Sequence, residues 1–308
     1  MSRFRILSID GGGIKGVFPA AFLTHVEDTL GGAPISSFFD LIAGTSTGGI
    51  IALALGLGFS AGEVLEFYER YGPAIFPRKS LWWMLGPAKY ETGPLKRALD
   101  DTFGSKRLGD SYRRLLIPSF NATTGKIHIY KTAHHPRLQL DFKVPAVEVA
   151  LATSAAPFYF PPHRSGEDVV LIDGGIWANN PMGLAVTEAI SMLGISGTGL
   201  DVLSIGCTST PPDFTQTGRG WRFWASRAID AAMQGQSFAA IGTAQHLAGH
   251  DNVFRFSPTV MPGRFALDKV QGVGELKAFG YSEAREALRE LTPRFFASAA
   301  EPFFPIYS

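Results

Sequence analysis

Cysteine is all but missing from this 308-residue chain: Cys207 stands alone, which excludes an intrachain disulfide framework. It closes the apolar stretch "LDVLSIGC", where a buried structural thiol is expected rather than a nucleophile. An excess of one charge is lacking as well. The formal net charge is +1 and the charged residues are spread along the chain, so nothing attracts a nucleic-acid polymer in general. There is no internal repeat and no low-complexity tract. Nor is there a signal-peptide pattern, because the first residues run into the short strand-like "ILSI" instead of a long apolar region with a cleavage site. A cytoplasmic location is therefore expected, with any membrane contact coming from a local patch.

Residues 43–59, "AGTSTGGIIALALGLGF", carry no charge, and the run reaches membrane-span length if Leu41 and Ile42 are added. It carries glycines at 44, 48, 49, 56 and 58 and follows Asp40, whereas a spanning helix is richer in large apolar residues. A buried strand, a sharp turn and a buried helix fit it better. Short apolar runs, "RILSID", "FFDLIAG", "RLLIPSF", "DVVLID" and "LDVLSIG", lack polar alternation and are separated by helix-length stretches, the rhythm of an α/β fold with buried parallel strands. Phe22, Leu23, Val26 and Leu30 share one helical face, and Ser60 with Glu63 forms a capping box that opens "AGEVLEFYERY". "GKIHIYKT" reads as a further strand after a turn at Thr124-Gly125. With 45% hydrophobic residues, the whole of 1–308 is expected to fold as one domain. Its Pro/Gly-rich segments, 76–93 and 208–220, would be surface excursions.

Within the charge-free run, Gly44-Thr45-Ser46-Thr47-Gly48 is a G-x-S-x-G placed between a strand and a helix. Small neighbours let such a turn lift a serine hydroxyl above the strand ends, where it can act as a nucleophile. A bare hydroxyl reacts poorly, so a base and an oxyanion site are needed. Gly11-Gly12-Gly13-Ile14-Lys15-Gly16, directly after the first strand, can turn main-chain N–H groups toward an anion. The hexapeptide also matches a dinucleotide-binding G-x-G-x-x-G, but the second strand ends in Ala43-Gly44-Thr45-Ser46 and not in the acid that would hold a ribose. A non-catalytic nucleotide-binding module remains the alternative from another class.

For the base, "VVLIDGGIWANNP" puts Asp173 at the end of an apolar strand, followed by Gly174, Gly175 and an Asn-Asn-Pro turn into a helix at Met182. An Asp-Gly turn with no catalysis explains the same residues. In the order serine, acid, histidine, only His246 and His250 come late enough to be an alternative base. The other histidines, His25, His128, His134, His135 and His163, lack ligand-like spacing, so neither a metal nor another cofactor is expected.

"DGGGIKG", "GTSTGG" and "DGGIWANNP", in that order, resemble the oxyanion loop, nucleophile elbow and catalytic aspartate of the patatin-like phospholipases. The resemblance spans residues 6–203, with 204–308 as an extension of the same domain. It implies a three-layer α/β/α sandwich with a mainly parallel central sheet, and phospholipase A-type hydrolysis of lipid acyl esters through an acyl-enzyme and a Ser-Asp dyad. Ser46 would then be the nucleophile and Asp173 the base. Gly12 and Gly13 would supply oxyanion amides, with Gly11, Gly16 and Lys15 shaping the loop. Gly-Gly after the aspartate, where many members have Gly-Ala, keeps the side chain small. The compact length, "ILSIDGGGIKGVFPAAFL" and "FYERYGPAIFP" are similar to a bacterial branch switched on by cyclic dinucleotides in anti-phage defence, which then degrades the host membrane. That similarity implies a second, regulatory site, for which Arg222, Arg227 and Arg255 with Trp221 and Trp224 are candidates. It also implies a phospholipid membrane as partner, met at the inner face. Within residues 75–90, Trp82, Trp83, Met84 and Leu85 lie between Arg78-Lys79 and Lys89, a mix suited to the headgroup boundary. Oligomeric state is left open.

Overall fold

The computed structural model describes residues 3–78, 88–166, 168–210, 220–261 and 263–308. Trp82 and Trp83 lie outside them, as do the side chains of Trp221, Arg222 and Arg227. Strand β1 (Phe4–Ile9) leads through the glycine loop into α1 (Val17–Thr29). Next come β2 (Leu41–Gly44), α2 (Thr47–Gly56), α3 (Ala61–Ile75) and α4 (Thr92–Phe103). After β3 (Arg114–Asn121) and β4 (Lys126–Lys131) follow α5 (Ala146–Ser154), β5 (His163–Ser165) and β6 (Val169–Asp173). The chain continues with α6 (Gly175–Ala178), α7 (Met182–Ser191), β7 (Leu200–Ile205), α8 (Trp221–Ala248), β8 (Val253–Phe256) and α9 (Val273–Leu291). The described strands form a single sheet in the order β5-β6-β3-β2-β1-β7-β8, with β4 also on β3.

Two-residue alternation along the strands builds a core on each face. Leu7, Ile9, Ile42, Leu115, Ile117 and Leu203 face the larger core, shared with α1 to α5 and α9. Ile6, Leu41, Ala43, Leu116, Leu200 and Val202 face the smaller one, closed by α7 and α8. This is the three-layer arrangement. Contiguous apolar strands result because both faces are covered. The charge-free run becomes β2, a turn and the wholly buried α2, and among the described residues no helix is long and apolar enough to cross a membrane. At α3 the capping box forms as the sequence predicts, with Ser60 Oγ accepting from Glu63 N–H at 3.1 Å.

Two expectations change. "FFDLIAG" is a strand only from Leu41, because residues 35–38 turn and the Asp40 carboxylate accepts the Arg5 N–H at 2.8 Å. "DVVLID" is not a buried parallel strand: β6 runs antiparallel to both β3 and β5, and Val169 is exposed. The reason lies in β3. β2 pairs with Arg114 to Leu116 and then leaves, and β6 takes over the same edge at Ser119. Pro118 falls in the gap. Leu115 exchanges bonds with Thr132 on the β4 side, so alternation turns residue 118 toward the β2/β6 edge, where its missing N–H leaves no ladder bond unmade. The two strands whose ends carry Ser46 and Asp173 thus meet head-on along one neighbour.

Candidate active site

Ser46 sits between β2 and α2 with φ 55° and ψ −122°, a conformation that costs a non-glycine residue roughly 1–3 kcal/mol. The turn is held by close approach. A Cβ on Gly44 would lie 2.0 Å from the Gly48 carbonyl oxygen, and one on Gly48 would lie 2.2 Å from that of Ile9. Side chains complete the restraint. Thr45 Oγ1 donates to the Ala178 carbonyl at 2.6 Å, and Thr47 Oγ1 donates to that of Gly13 at 2.8 Å. The Ser46 N–H donates to Thr153 Oγ1 at 3.0 Å, and Thr153 Oγ1 donates in turn to the free carbonyl of Pro118 at 2.6 Å. Nothing in the motif pointed to Thr153, which lies on α5 over a hundred residues away.

Asp173 closes β6 opposite Ser119 and is buried. Its carboxylate accepts from the Gly175 N–H at 2.6 Å, and the Ser46 hydroxyl lies beside it. Burial pushes the Asp173 pKa up to about 6, against the neighbouring Ser46 hydroxyl and the Gly175 N–H, which lower it. Gly174 passes so near the Pro118 carbonyl that a Cβ there would lie 2.4 Å from its oxygen. Beyond it, Asn179 and Asn180 fasten the turn. The Asn179 carbonyl accepts the Gly11 N–H at 3.0 Å, and Asn180 exchanges backbone bonds with the Gln236 amide of α8 at 3.2 and 3.0 Å.

The glycine loop lies beside this pair. Gly11 has its N–H engaged by Asn179, and the Ile14 N–H donates to the Leu267 carbonyl at 2.8 Å. Among the described residues no acceptor meets the N–H of Gly12 or Gly13, and both glycines line the same cavity as Ser46 and Asp173. Lys15 turns away, donating to the Thr208 carbonyl at 2.7 Å, and Gly16 lies beneath Thr47 and Tyr68. Cys207 packs on the loop's other side, where a Cβ on Gly12 would be 2.1 Å from its sulfur. Burial pushes that thiol up to about 12, so it stays protonated and inert. The cavity has a volume of about 760 Å³ and is walled by apolar groups such as Ile50, Phe67, Ile75, Leu95, Phe160 and Met233.

Residues 7–186 match the model of the family described as patatin-like phospholipase. The chain belongs to that family. Among its similar patatin-like relatives is a cGAMP-activated phospholipase of Pseudomonas aeruginosa, 34% identical over 300 residues, covering 92% of this chain and 89% of that one. A second cGAMP-activated phospholipase, of Vibrio cholerae, is 36% identical over 206 residues, or 61% of this chain and 58% of its own length. VipD of Legionella pneumophila is similar in fold, with a TM-score of 0.53 at 12% identity, covering 94% of this chain and 67% of that one.

No histidine lines the patatin-like cavity among the described residues. His246 is near the C-terminal end of α8, fourteen residues beyond the cavity-lining Ala232, which is about 21 Å along the helix at 1.5 Å per residue. His250 follows in the next turn. Replacing either with alanine is expected to leave ester hydrolysis within about twofold, whereas a loss of a hundredfold or more in one of them would restore a triad. Arg255 is also reassigned. Its guanidinium is taken up by Asp10 and Ser204, so it is not free to clamp a nucleotide phosphate, and Trp224 is exposed on α8.

Proposed function

We propose that this chain cleaves acyl esters of membrane phospholipids through Ser46 and Asp173 and is switched on by a cyclic dinucleotide. The observation that carries the reading is a strained serine and a buried carboxylate on one apolar cavity, beside two glycine amides that meet no acceptor among the described residues. Ser46 Oγ attacks the ester carbonyl and its proton passes to Asp173. Gly12 and Gly13 N–H donate to the oxyanion, and one such donor is worth about a hundredfold or more in rate. Collapse expels the lipid alcohol, which takes the proton back from Asp173 and leaves an acyl-serine. Water then repeats the sequence with the same base and releases the fatty acid.

The cavity mouth supports a lipid surface as the source of substrate. Phe158 lines it, is 65% exposed and has φ 70°, so it combines backbone strain with an apolar ring left in water. The turn is held by the carbonyls of Phe158 and Tyr159, which accept from the Lys89 and Tyr90 N–H at 2.9 and 2.8 Å. Ile176 on the same rim is 42% exposed. Phe158→Ala is expected to slow hydrolysis of phospholipid vesicles about fivefold while leaving a soluble short-chain ester within about twofold. Equal losses on both substrates would count against contact with the bilayer.

The relatives named cGAMP-activated support the switch. The reading is tested by measuring fatty-acid release from phospholipid vesicles with and without a panel of cyclic dinucleotides that includes cGAMP. Release on addition of one of them, abolished by Ser46→Ala, is the expected result. Full release without any would overturn the gating, and no Ser46-dependent release under any condition would overturn the hydrolase.

A further inference from the structure

The glycine loop is clamped by an ion pair of a buried aspartate and a half-buried arginine, the latter outside the family-matched residues. Asp10, the residue before Gly11, is 5% exposed and projects from the end of β1 toward β8. Arg255 grips both of its carboxylate oxygens, with Nη1 donating to Oδ1 at 2.8 Å and Nη2 to Oδ2. Nη1 also donates to Ser204 Oγ at 2.7 Å, and Ser204 is Arg255's partner in the β7–β8 register, so the guanidinium plane is fixed. The Asp10 backbone is tied on the same side, its N–H donating to the Ile205 carbonyl at 3.1 Å. The remaining groups that face Asp10 are Lys15, cationic, and the Cys207 thiol, which stays neutral until about 12.

We propose that Arg255 is a positioning residue for the oxyanion loop: through Asp10 it aims the Gly12 and Gly13 amides, and it neutralises the carboxylate that immediately precedes the loop. A bidentate fork fixes both the place and the plane of a carboxylate, which a lysine cannot do. Loss of the fork loosens donors whose value depends on being preorganised. Loss of the charge leaves Asp10 buried and alone, and burial already raises its pKa even with Arg255 in place. The unpaired carboxyl therefore remains neutral at low pH and ionises as pH rises.

The inference rests on the hydrolase reading of Ser46, and the experiment separates the two. The protein is assayed on a soluble ester from pH 6 to 9 with each member of the cyclic dinucleotide panel, cGAMP included, alongside melting curves. Arg255→Lys is expected to lower kcat about tenfold with KM within about twofold. Arg255→Met should lose about a hundredfold at pH 9 and markedly less at pH 6, as Asp10 becomes neutral. In the Asp10→Asn/Arg255→Met double variant, which buries no charge, the loss should no longer grow with pH. Should Arg255→Met not be recovered folded, Arg255→Lys and the double variant carry the comparison. Folded variants that keep kcat within twofold, or that lose only in KM with a flat pH dependence, would overturn the positioning role while wild-type turnover stands. A wild-type protein without Ser46-dependent turnover under any of the cyclic dinucleotides would instead overturn the hydrolase reading.

Discussion

Ser46→Ala is expected to lower kcat for phospholipid hydrolysis by about 10⁴-fold or more, with a melting temperature within a few degrees of wild type. The magnitude follows from removing the atom that forms the acyl-enzyme, after which only the oxyanion donors and substrate binding remain to assist water. The small effect on stability follows from the geometry. Alanine keeps the Cβ, so the left-handed φ of 55° is as strained as before, and the restraint at this position comes from the backbone N–H bond to Thr153, which alanine retains. Ser46→Gly provides the control. It relieves roughly 1–3 kcal/mol of strain and loses about 0.4–1 kcal/mol to a looser unfolded chain, so it should be inactive yet more stable than Ser46→Ala. Kinetics on a soluble ester with calorimetry of the three proteins check this. Residual turnover in Ser46→Ala within tenfold of wild type would remove Ser46 from the mechanism.

What the sequence made legible was local. The loop after β1, the turn before α2 and the aspartate that ends β6 each pair a strand end with small residues, and each proposed role depends on main-chain shape more than on distant partners. The strand alternation between two cores also follows from contiguous apolar runs, since only a doubly covered sheet tolerates them. The parts that escaped depend on long-range placement. Thr153 anchors the Ser46 amide from α5, inside the ordinary-looking helix "AVEVALATS", and carries no local signal. The antiparallel direction of β6 is set by its pairing to β3 across the Pro118 gap, which no periodicity encodes. Arg255 left one trace, a charge inside the apolar "VFRF" of β8, where a half-buried arginine calls for an acid beside it. That clue was legible, but the identity of its partner, Asp10, 245 positions earlier, was not.

Asp173→Asn is expected to separate activity from stability. Hydrolysis should fall by about three to four orders of magnitude, since the amide cannot take the Ser46 proton, and the remaining rate should lose its dependence on pH. In the wild type that dependence comes from the raised pKa: kcat/KM should climb tenfold per pH unit below about 6 and level off above it, because only the carboxylate is a base. The same burial lowers stability. The folded pKa of about 6 exceeds the unfolded 3.8, so between these values the folded state holds more protons, and stability falls as pH rises through that window. Above about pH 6 the ionised carboxylate costs the fold roughly 3 kcal/mol, at 1.36 kcal/mol per tenfold step. Asparagine has no charge to bury, and its carbonyl oxygen can still accept the Gly175 N–H. Asp173→Asn should therefore melt about 5 °C above wild type at pH 8, and the advantage should shrink toward pH 4, where the wild-type carboxyl is protonated as well. Equal melting temperatures at pH 8 would mean that Asp173 is not held ionised against its surroundings. In the proposed dyad, a base strained in this way would be active because its charge is poorly accommodated until the serine proton arrives.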